Sequence, residues 1–122
     1  MQDRPTNSEL IESVRDYLQT VAIPALSGHS AFHGRIAVNV LDIVLRDLRL
    51  GPGFDTAEQK RLAELLGQDD DLATLNRLFC QRLRNGEISG DDPAVRAHLR
   101  TTALERLSID NPKYATYQRL VR

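Results

Sequence analysis

The sequence has 122 residues, a length that fits one domain and can bury roughly two thirds of the surface exposed by the unfolded chain. Sixteen Lys and Arg residues balance seventeen Asp and Glu residues, so the formal charge of −1 creates no field that would attract nucleic acid or anionic lipid. The single cysteine, Cys80, cannot form an intramolecular disulfide, and the N-terminal residues lack the basic patch and apolar run of a secretory signal. We therefore expect one domain over residues 1–122, located in the cytoplasm.

Composition and periodicity predict an all-α fold. Leucine and alanine are plentiful, the aromatic residues are only three Tyr and three Phe, and no segment alternates as a strand would. The most apolar stretch, residues 36–50, contains Asp42, Arg46 and Asp47, which a membrane-spanning helix would not tolerate. We expect a compact bundle of about five helices with a central, mostly buried second helix, a short C-terminal helix and no membrane segment.

Local signals mark the ends of the predicted helices. Thr6 and Glu9 form a capping box for the first helix, and Pro24 ends or kinks that helix near Ile23. The other predicted elements are a second helix at 30–48, a loop at 51–53, a third helix at 56–66, a fourth between Asp71 and Asn85, a fifth from Asp92-Pro93 to a break at 110–112, and a last short helix. The fifth helix should bury Val95, Leu99, Ala103 and Leu107.

The second helix has the widest apolar arc of the chain. Residues such as Ile36, Val40 and Val44 cover more than half of its circumference. The arc predicts that this helix is the most buried, and that truncating any of the three to Ala costs roughly 1–4 kcal/mol. His33 projects into the same arc, so we expect it to be at least half buried and hydrogen-bonded within the protein.

A polar stripe on the second helix has two interpretations. Arg35, Asn39, Asp42 and Arg46 are spaced four, three and four residues apart and share one face. In one interpretation the face is solvated and Asp42 pairs with Arg46 across one turn. In the other, these side chains and His33 line a groove for a ligand or a partner protein.

A metal site or an active site is the competing hypothesis. His29 and His33 are four residues apart, which on a helix could chelate a divalent metal if a third ligand, such as His98, came from elsewhere. A small enzyme could instead use His33 with Arg35 and Asn39. The sequence has no Gly-rich phosphate loop, zinc ribbon or catalytic triad order, so we assign no catalytic residue, metal ligand or cofactor.

Two charges fall on faces that are predicted to be apolar. Arg106 shares its face with Val95 and Leu99, and Asp47 projects into the apolar arc of the second helix. A buried charge needs a partner, so we expect Arg106 to pair with Asp110, four residues on, or with Asp47. The alternative is that Arg106 extends to solvent.

Four segments resemble a family of short bacterial proteins of unknown function: residues 3–6 (DRPT), 24–28 (PALSG), 32–39 (FHGRIAVN) and 109–114 (IDNPKY). Genes for that family often lie beside genes for aminoglycoside-phosphotransferase-like kinases and acyl-CoA dehydrogenases. The resemblance implies an accessory role near acyl or small-molecule metabolism and no activity of its own. Together with the missing catalytic signature, it leads us to expect a non-catalytic helical binding or accessory module that acts with a kinase-like or acyl-CoA-metabolising protein partner and that can form a homo-oligomer. The resemblance draws attention to Arg4, His33, Arg35, Asn39, Asp110 and Asn111 without assigning them roles.

Overall fold

The computed structural model describes residues 3–122, and within that range it contains helices and no strand. Its α-helices are α1 (Asn7–Tyr17), α2 (Gly28–Leu66), α3 (Leu72–Arg84), α4 (Pro93–Asp110) and α5 (Ala115–Leu120). A π-helical segment, Leu18–Ala22, and a 3-10 turn, Ile23–Ala25, follow α1. The predicted all-α class with five helices and a short C-terminal helix is confirmed. None of the helices in the described range has the length and apolarity needed to cross a membrane.

The start and end of the first helical region agree with the sequence signals. The Glu9 backbone N–H donates to Thr6 Oγ1 at 3.2 Å, which satisfies one of the free N–H groups of the first turn. Pro24 lies in the 3-10 turn, and the chain becomes extended at Leu26. The predicted end near Ile23 is therefore confirmed, with proline supplying the physical reason because it cannot donate to the preceding turn.

The predicted loop at residues 51–53 is wrong, because α2 runs without interruption from Gly28 to Leu66. Pro52 cannot donate a backbone hydrogen bond, yet its fixed φ suits a helix. Thr56 Oγ1 donates to the Pro52 carbonyl at 3.0 Å within the same helix. Gly51 and Gly53 permit a turn without requiring one, so the good helix formers on both sides prevail. The second and third predicted helices are one element.

The chain forms two compact units that divide between Gly51 and Pro52. We call them the N-terminal unit, which ends at Gly51, and the C-terminal unit, Pro52–Arg122. The first part of α2 belongs to one unit and the remainder to the other. The organisation of residues 1–122 as a single domain stays a prediction.

In the N-terminal unit, ion pairs join α1 to the first part of α2. Arg15 Nε donates to Asp42 Oδ1 at 2.9 Å, and Arg49 Nη2 donates to Glu12 Oε2 at 2.9 Å. Gly34 permits close packing here, because a Cβ at that position would lie 2.9 Å from Cγ1 of Ile23. The buried hydrophobic residues of this part of α2 are Ala31, Val38 and Leu45.

The prediction that Ile36 and Val40 are core residues is wrong. Their exposed fractions are 45% and 51%, and Val44 is only partly buried. The apolar arc of α2 is wide because it has two parts: one is buried beside Asp42, and the other, with Phe32, Ile36 and Val40, remains open. Truncating Ile36 or Val40 therefore should not cost what a core substitution costs.

The main hydrophobic core belongs to the C-terminal unit. Its buried members come from α2, α3 and α4: Leu62, Leu66, Leu75, Phe79 and Val95. The turn between α2 and α3 is fixed by side chains on both helices, since Arg82 Nη1 donates to the Leu66 carbonyl at 3.0 Å and Gln59 Nε2 to the Asp70 carbonyl at 2.7 Å. Asp71, where the fourth helix was predicted to start, caps α3 by accepting from the Thr74 N–H.

The start of α4 is as predicted, but its buried face is not. Asp92 accepts from the Ala94 N–H at 2.8 Å, and Pro93 occupies the first position of the helix. Leu99 and Ala103, which were expected inside, are exposed. The buried residues of α4 are instead Val95, His98 and Ile109.

Candidate functional site

The inward face of α4 carries polar residues at helical spacing. Val95, His98, Thr102, Glu105 and Ile109 are separated by three, four, three and four residues, so they follow one side of the helix. Val95 and Ile109 are buried at its two ends, and the three polar residues lie between them. The same side receives the side chain of Arg61 from α2.

Arg61 is the centre of this polar cluster, which we call the Arg61 cluster (Arg61, His98, Thr102 and Glu105). Its Nη1 and Nη2 donate to the two carboxylate oxygens of Glu105 at 3.1 and 3.3 Å. Nη2 also donates to Thr102 Oγ1 at 3.1 Å. The Arg61 and Glu105 side chains are only 25% and 18% exposed, so two opposite charges are partly removed from water together.

His98 is the buried member of the Arg61 cluster, with 4% of its surface exposed. Arg61 Nε donates to Nδ1 of His98 at 3.2 Å, which places the imidazole proton on Nε2. Phe79 meets the imidazole edge to face, with ring centroids 5.4 Å apart. Burial lowers the pKa of His98 below its ordinary value of 6.5, and the Arg61 guanidinium lowers it further against an opposing effect of Glu105. His98 is therefore neutral at pH 7.

We expect this lowered pKa to appear in the pH dependence of stability. Below pH 6.5, His98 of the unfolded chain binds a proton, whereas the folded imidazole, with its lower pKa, stays neutral. The contribution of His98 to the free energy of unfolding is therefore fully present above pH 6.5 and is lost as the pH falls toward the folded pKa. Urea unfolding from about pH 7 to about pH 5 should show a steeper loss for the wild type than for His98→Gln, which keeps an acceptor for Arg61. The exposed-residue control His33→Gln should retain the wild-type slope. Equal slopes for the wild type and His98→Gln would contradict the assignment.

A pocket of about 400 Å³ opens beside the Arg61 cluster. Its polar lining comes from Arg61, Glu64, His98 and Thr101, and its apolar walls are Leu65, Ala94 and Ala97. A few polar groups among apolar walls are typical of small-ligand sites, which span about 300–1,000 Å³. The arrangement can hold a ligand by hydrogen bonds, and it lacks a nucleophile paired with a base.

The residues predicted for the groove differ in exposure and in their partners. Asp42 is partly buried and accepts from Arg15 of α1, whereas His33, Arg35 and Asn39 are exposed. Arg46 is partly buried. His33, which was expected to be at least half buried, lies among the exposed residues, on the part of the apolar arc that faces outward. The groove itself stays a prediction.

The metal hypothesis needs three ligands near one another. Across residues 3–122 the structure gathers no group of three or more His, Cys, Asp or Glu side chains that could hold a metal ion. The imidazole of His33 instead stands edge to face with Phe32, with ring centroids 5.7 Å apart.

Arg106 pairs with Asp110, the predicted partner four residues further along the same helix. Its Nε donates to Asp110 Oδ2 at 2.8 Å. The predicted burial is wrong, since the side chains of Arg106 and Asp110 are 64% and 43% exposed. The reason is the orientation of α4, which turns His98 inward and leaves the face of Leu99 and Arg106 in solvent. Asp47 is exposed in the N-terminal unit, and its pairing with Arg106 stays a prediction.

Two apolar stripes remain exposed in the N-terminal unit. The first stripe belongs to α1 and the π-helical segment that follows it, and its residues are 51–59% exposed: Leu10, Val14, Tyr17 and Val21. The second stripe lies on α2 and consists of Phe32, Ile36 and Val40. Spacings of three and four residues place each set along one side of its helix. Apolar surface that runs along a helix in this way is typical of a protein interaction site.

A protein-family model described as a domain of unknown function, DUF6285, matches residues 24–114. The chain belongs to the DUF6285 family. No curated protein and no solved structure matches it.

The DUF6285 match includes the Arg61 cluster, its pocket and the second stripe, whereas the first stripe precedes it. Three of the four segments on which the sequence resemblance depends also fall inside the matched range; residues 3–6 do not. The family description assigns no activity.

Sequence reasoning missed Arg61, Thr102 and Glu105, and it considered His98 only as a distant metal ligand. One feature of the sequence could have indicated them. The spacing of three and four residues that links Val95 to Ile109 passes through His98, Thr102 and Glu105. Polar residues at core spacing on one helix require a charged partner on a neighbouring helix. Arg61 lies one residue before the buried Leu62, which makes it a natural candidate for that partner.

Proposed function

We propose that the protein is a non-catalytic, cytoplasmic helical binding module that acts with a kinase-like or acyl-CoA-metabolising partner protein. The observation that supports docking is the pair of exposed apolar stripes in the N-terminal unit. The class of partner rests on the resemblance to proteins whose genes lie beside those of such enzymes.

The extent of the stripes fits a protein partner. Seven apolar side chains, each about half exposed, make up the two stripes, and a docked partner would remove this apolar surface from water. The side chains of the first stripe bear no charge, so covering them carries little desolvation cost. A valine, a leucine and a tyrosine within two turns also provide the apolar and aromatic anchors on which binding energy concentrates.

Mass measurement with defined partners tests this proposal. The full chain, 13.7 kDa, is mixed with purified aminoglycoside-phosphotransferase-like kinases and, separately, with purified acyl-CoA dehydrogenases, and light scattering gives the mass of the eluting species. We expect one of these proteins to form a complex with the chain. The double variant Val14→Asp with Tyr17→Asp should lose the complex, because an unpaired carboxylate would be buried at the interface.

The control variant is Leu99→Asp, which places the same charge on an exposed leucine of the C-terminal unit and should leave the complex intact. Circular dichroism confirms that each variant remains helical. The proposal fails if no such enzyme changes the eluting mass, or if the stripe variant binds as well as the control. Elution of the chain alone at twice 13.7 kDa, abolished by the stripe variant, would instead assign the stripe to a second copy.

A further inference from the structure

The pocket beside the Arg61 cluster contains a polar group that the protein itself does not use. Nδ1 of His98 accepts from Arg61, and Nε2 has no hydrogen-bond partner among residues 3–122. Every buried side-chain nitrogen and oxygen in that range has a partner, so Nε2 must reach accessible space. Because the imidazole is otherwise buried and lines this pocket, the Nε2–H group is available to donate a hydrogen bond to a ligand in the pocket.

The position of that hydrogen is fixed before any ligand arrives. The bond from Arg61 determines the tautomer, and the edge contact with Phe79 holds the plane of the ring. Arg61 is in turn held by both oxygens of Glu105. A donor that is preorganised in this way loses little conformational entropy when a ligand binds.

The charges around the pocket favour a cation over an anion. The charge of Arg61 is already matched by Glu105 at 3.1 Å. Glu64 is exposed and lines the same pocket, and it adds a negative charge. His98 contributes no positive charge while its imidazole is neutral. The apolar walls formed by Leu65, Ala94 and Ala97 suit a hydrocarbon or aromatic body.

We propose that this pocket binds a small organic cation of the amino alcohol class, in which an oxygen accepts from Nε2 of His98, the ammonium group pairs with Glu64, and the apolar body lies on the alanine and leucine walls. Thr101, also in the lining, can donate to or accept from a second polar group of the ligand. This site lies in the C-terminal unit and uses none of the stripe residues, so it can be present whether or not the protein docks on a partner.

Three probes of matched shape and different charge test the proposal by NMR titration of the full chain. The cation is 2-amino-1-phenylethanol, the neutral analogue is 1-phenylethane-1,2-diol, and the anion is mandelate. We expect the amine to shift the His98 imidazole resonances in a saturable way with a dissociation constant on the order of 1 mM. The diol should bind more weakly, and mandelate should produce no saturable shift.

Variants separate the proposed pairing from general adhesion to the surface. Glu64→Gln should weaken binding of the amine about two- to fivefold, as expected for one solvent-exposed ion pair, and should abolish its preference over the diol. Asp55→Asn, a matched removal of an exposed carboxylate from the same helix outside this pocket, should change nothing. Failure of the amine to shift the His98 resonances, equal binding of mandelate, or an unchanged amine affinity in Glu64→Gln would each overturn the proposal.

Discussion

Leu75→Ala and Leu62→Ala should each lower the free energy of unfolding by about 2–5 kcal/mol, the range observed for leucines whose removal leaves a cavity. Both side chains are completely buried, and they belong to the cluster that joins α2, α3 and α4. Neighbours such as Phe79 and Val95 are themselves fixed by packing, so they cannot collapse fully into the space left by the leucine. Urea denaturation followed by circular dichroism measures the change.

The matched controls are Ile36→Ala and Val40→Ala on the exposed part of α2. Each removes a similar apolar side chain that is about half exposed, and each should cost less than about 1 kcal/mol in the isolated chain. The comparison is informative because the sequence pattern predicts a core-like cost of roughly 1–4 kcal/mol for Ile36→Ala and Val40→Ala as well. If Ile36→Ala destabilised the chain as much as Leu75→Ala, the wide arc of α2 would have to be buried and the stripe would not be available for docking.

Removing one member of the Arg61 cluster should have the second large effect. Arg61→Met leaves the Glu105 carboxylate partly buried without its cation, and Glu105→Gln leaves the guanidinium without its anion. Since the two side chains keep a quarter or less of their surface exposed, we expect each change to cost about 1–3 kcal/mol, between the values for exposed and fully buried pairs. The double variant should cost clearly less than the two single losses together.

An exposed pair on the same helix serves as the control for this double-mutant cycle. Arg106 and Asp110 are joined at 2.8 Å, yet both remain largely in solvent. The coupling between Arg106→Met and Asp110→Asn should be only a few tenths of a kcal/mol. Equal coupling energies in the two cycles would show that the Arg61 cluster is as well solvated as the surface pair.

The sequence was informative where local chemistry determines structure. The Thr6 cap, the Asp71 cap and the Asp92-Pro93 start all depend on residues within one turn of each other, and all three were predicted. The prediction of a break at residues 51–53 was wrong for a related reason. Gly and Pro are weak evidence when long helix-forming segments flank them on both sides, and continuing the helix then costs less than ending it and leaving its terminal carbonyls unsatisfied.

Which face of a helix is buried could not be determined from apolar residues alone. On α4 the apolar set that includes Leu99 and Ala103 competes with the set that includes His98 and Glu105, and simple hydrophobicity favours the first. The second set turns inward, with His98 buried and Glu105 partly buried, because Arg61 of α2 pairs with both across a sequence separation of 37 to 44 residues. Similarly, nothing in the pattern of α2 distinguishes an apolar stripe that is covered within the chain from one that is left for a partner.

The polar residues of α4 turn inward around Arg61, and this arrangement fixes the His98 imidazole. The most direct test is a pH titration of the ¹⁵N imidazole resonances of His98 in the full chain. We predict the neutral tautomer with its proton on Nε2 at pH 7 and a pKa below 6.5, with His33→Gln leaving both unchanged. A pKa at or above 6.5, or a proton on Nδ1, would mean that Arg61 does not donate to this ring and that the cluster is not formed as described.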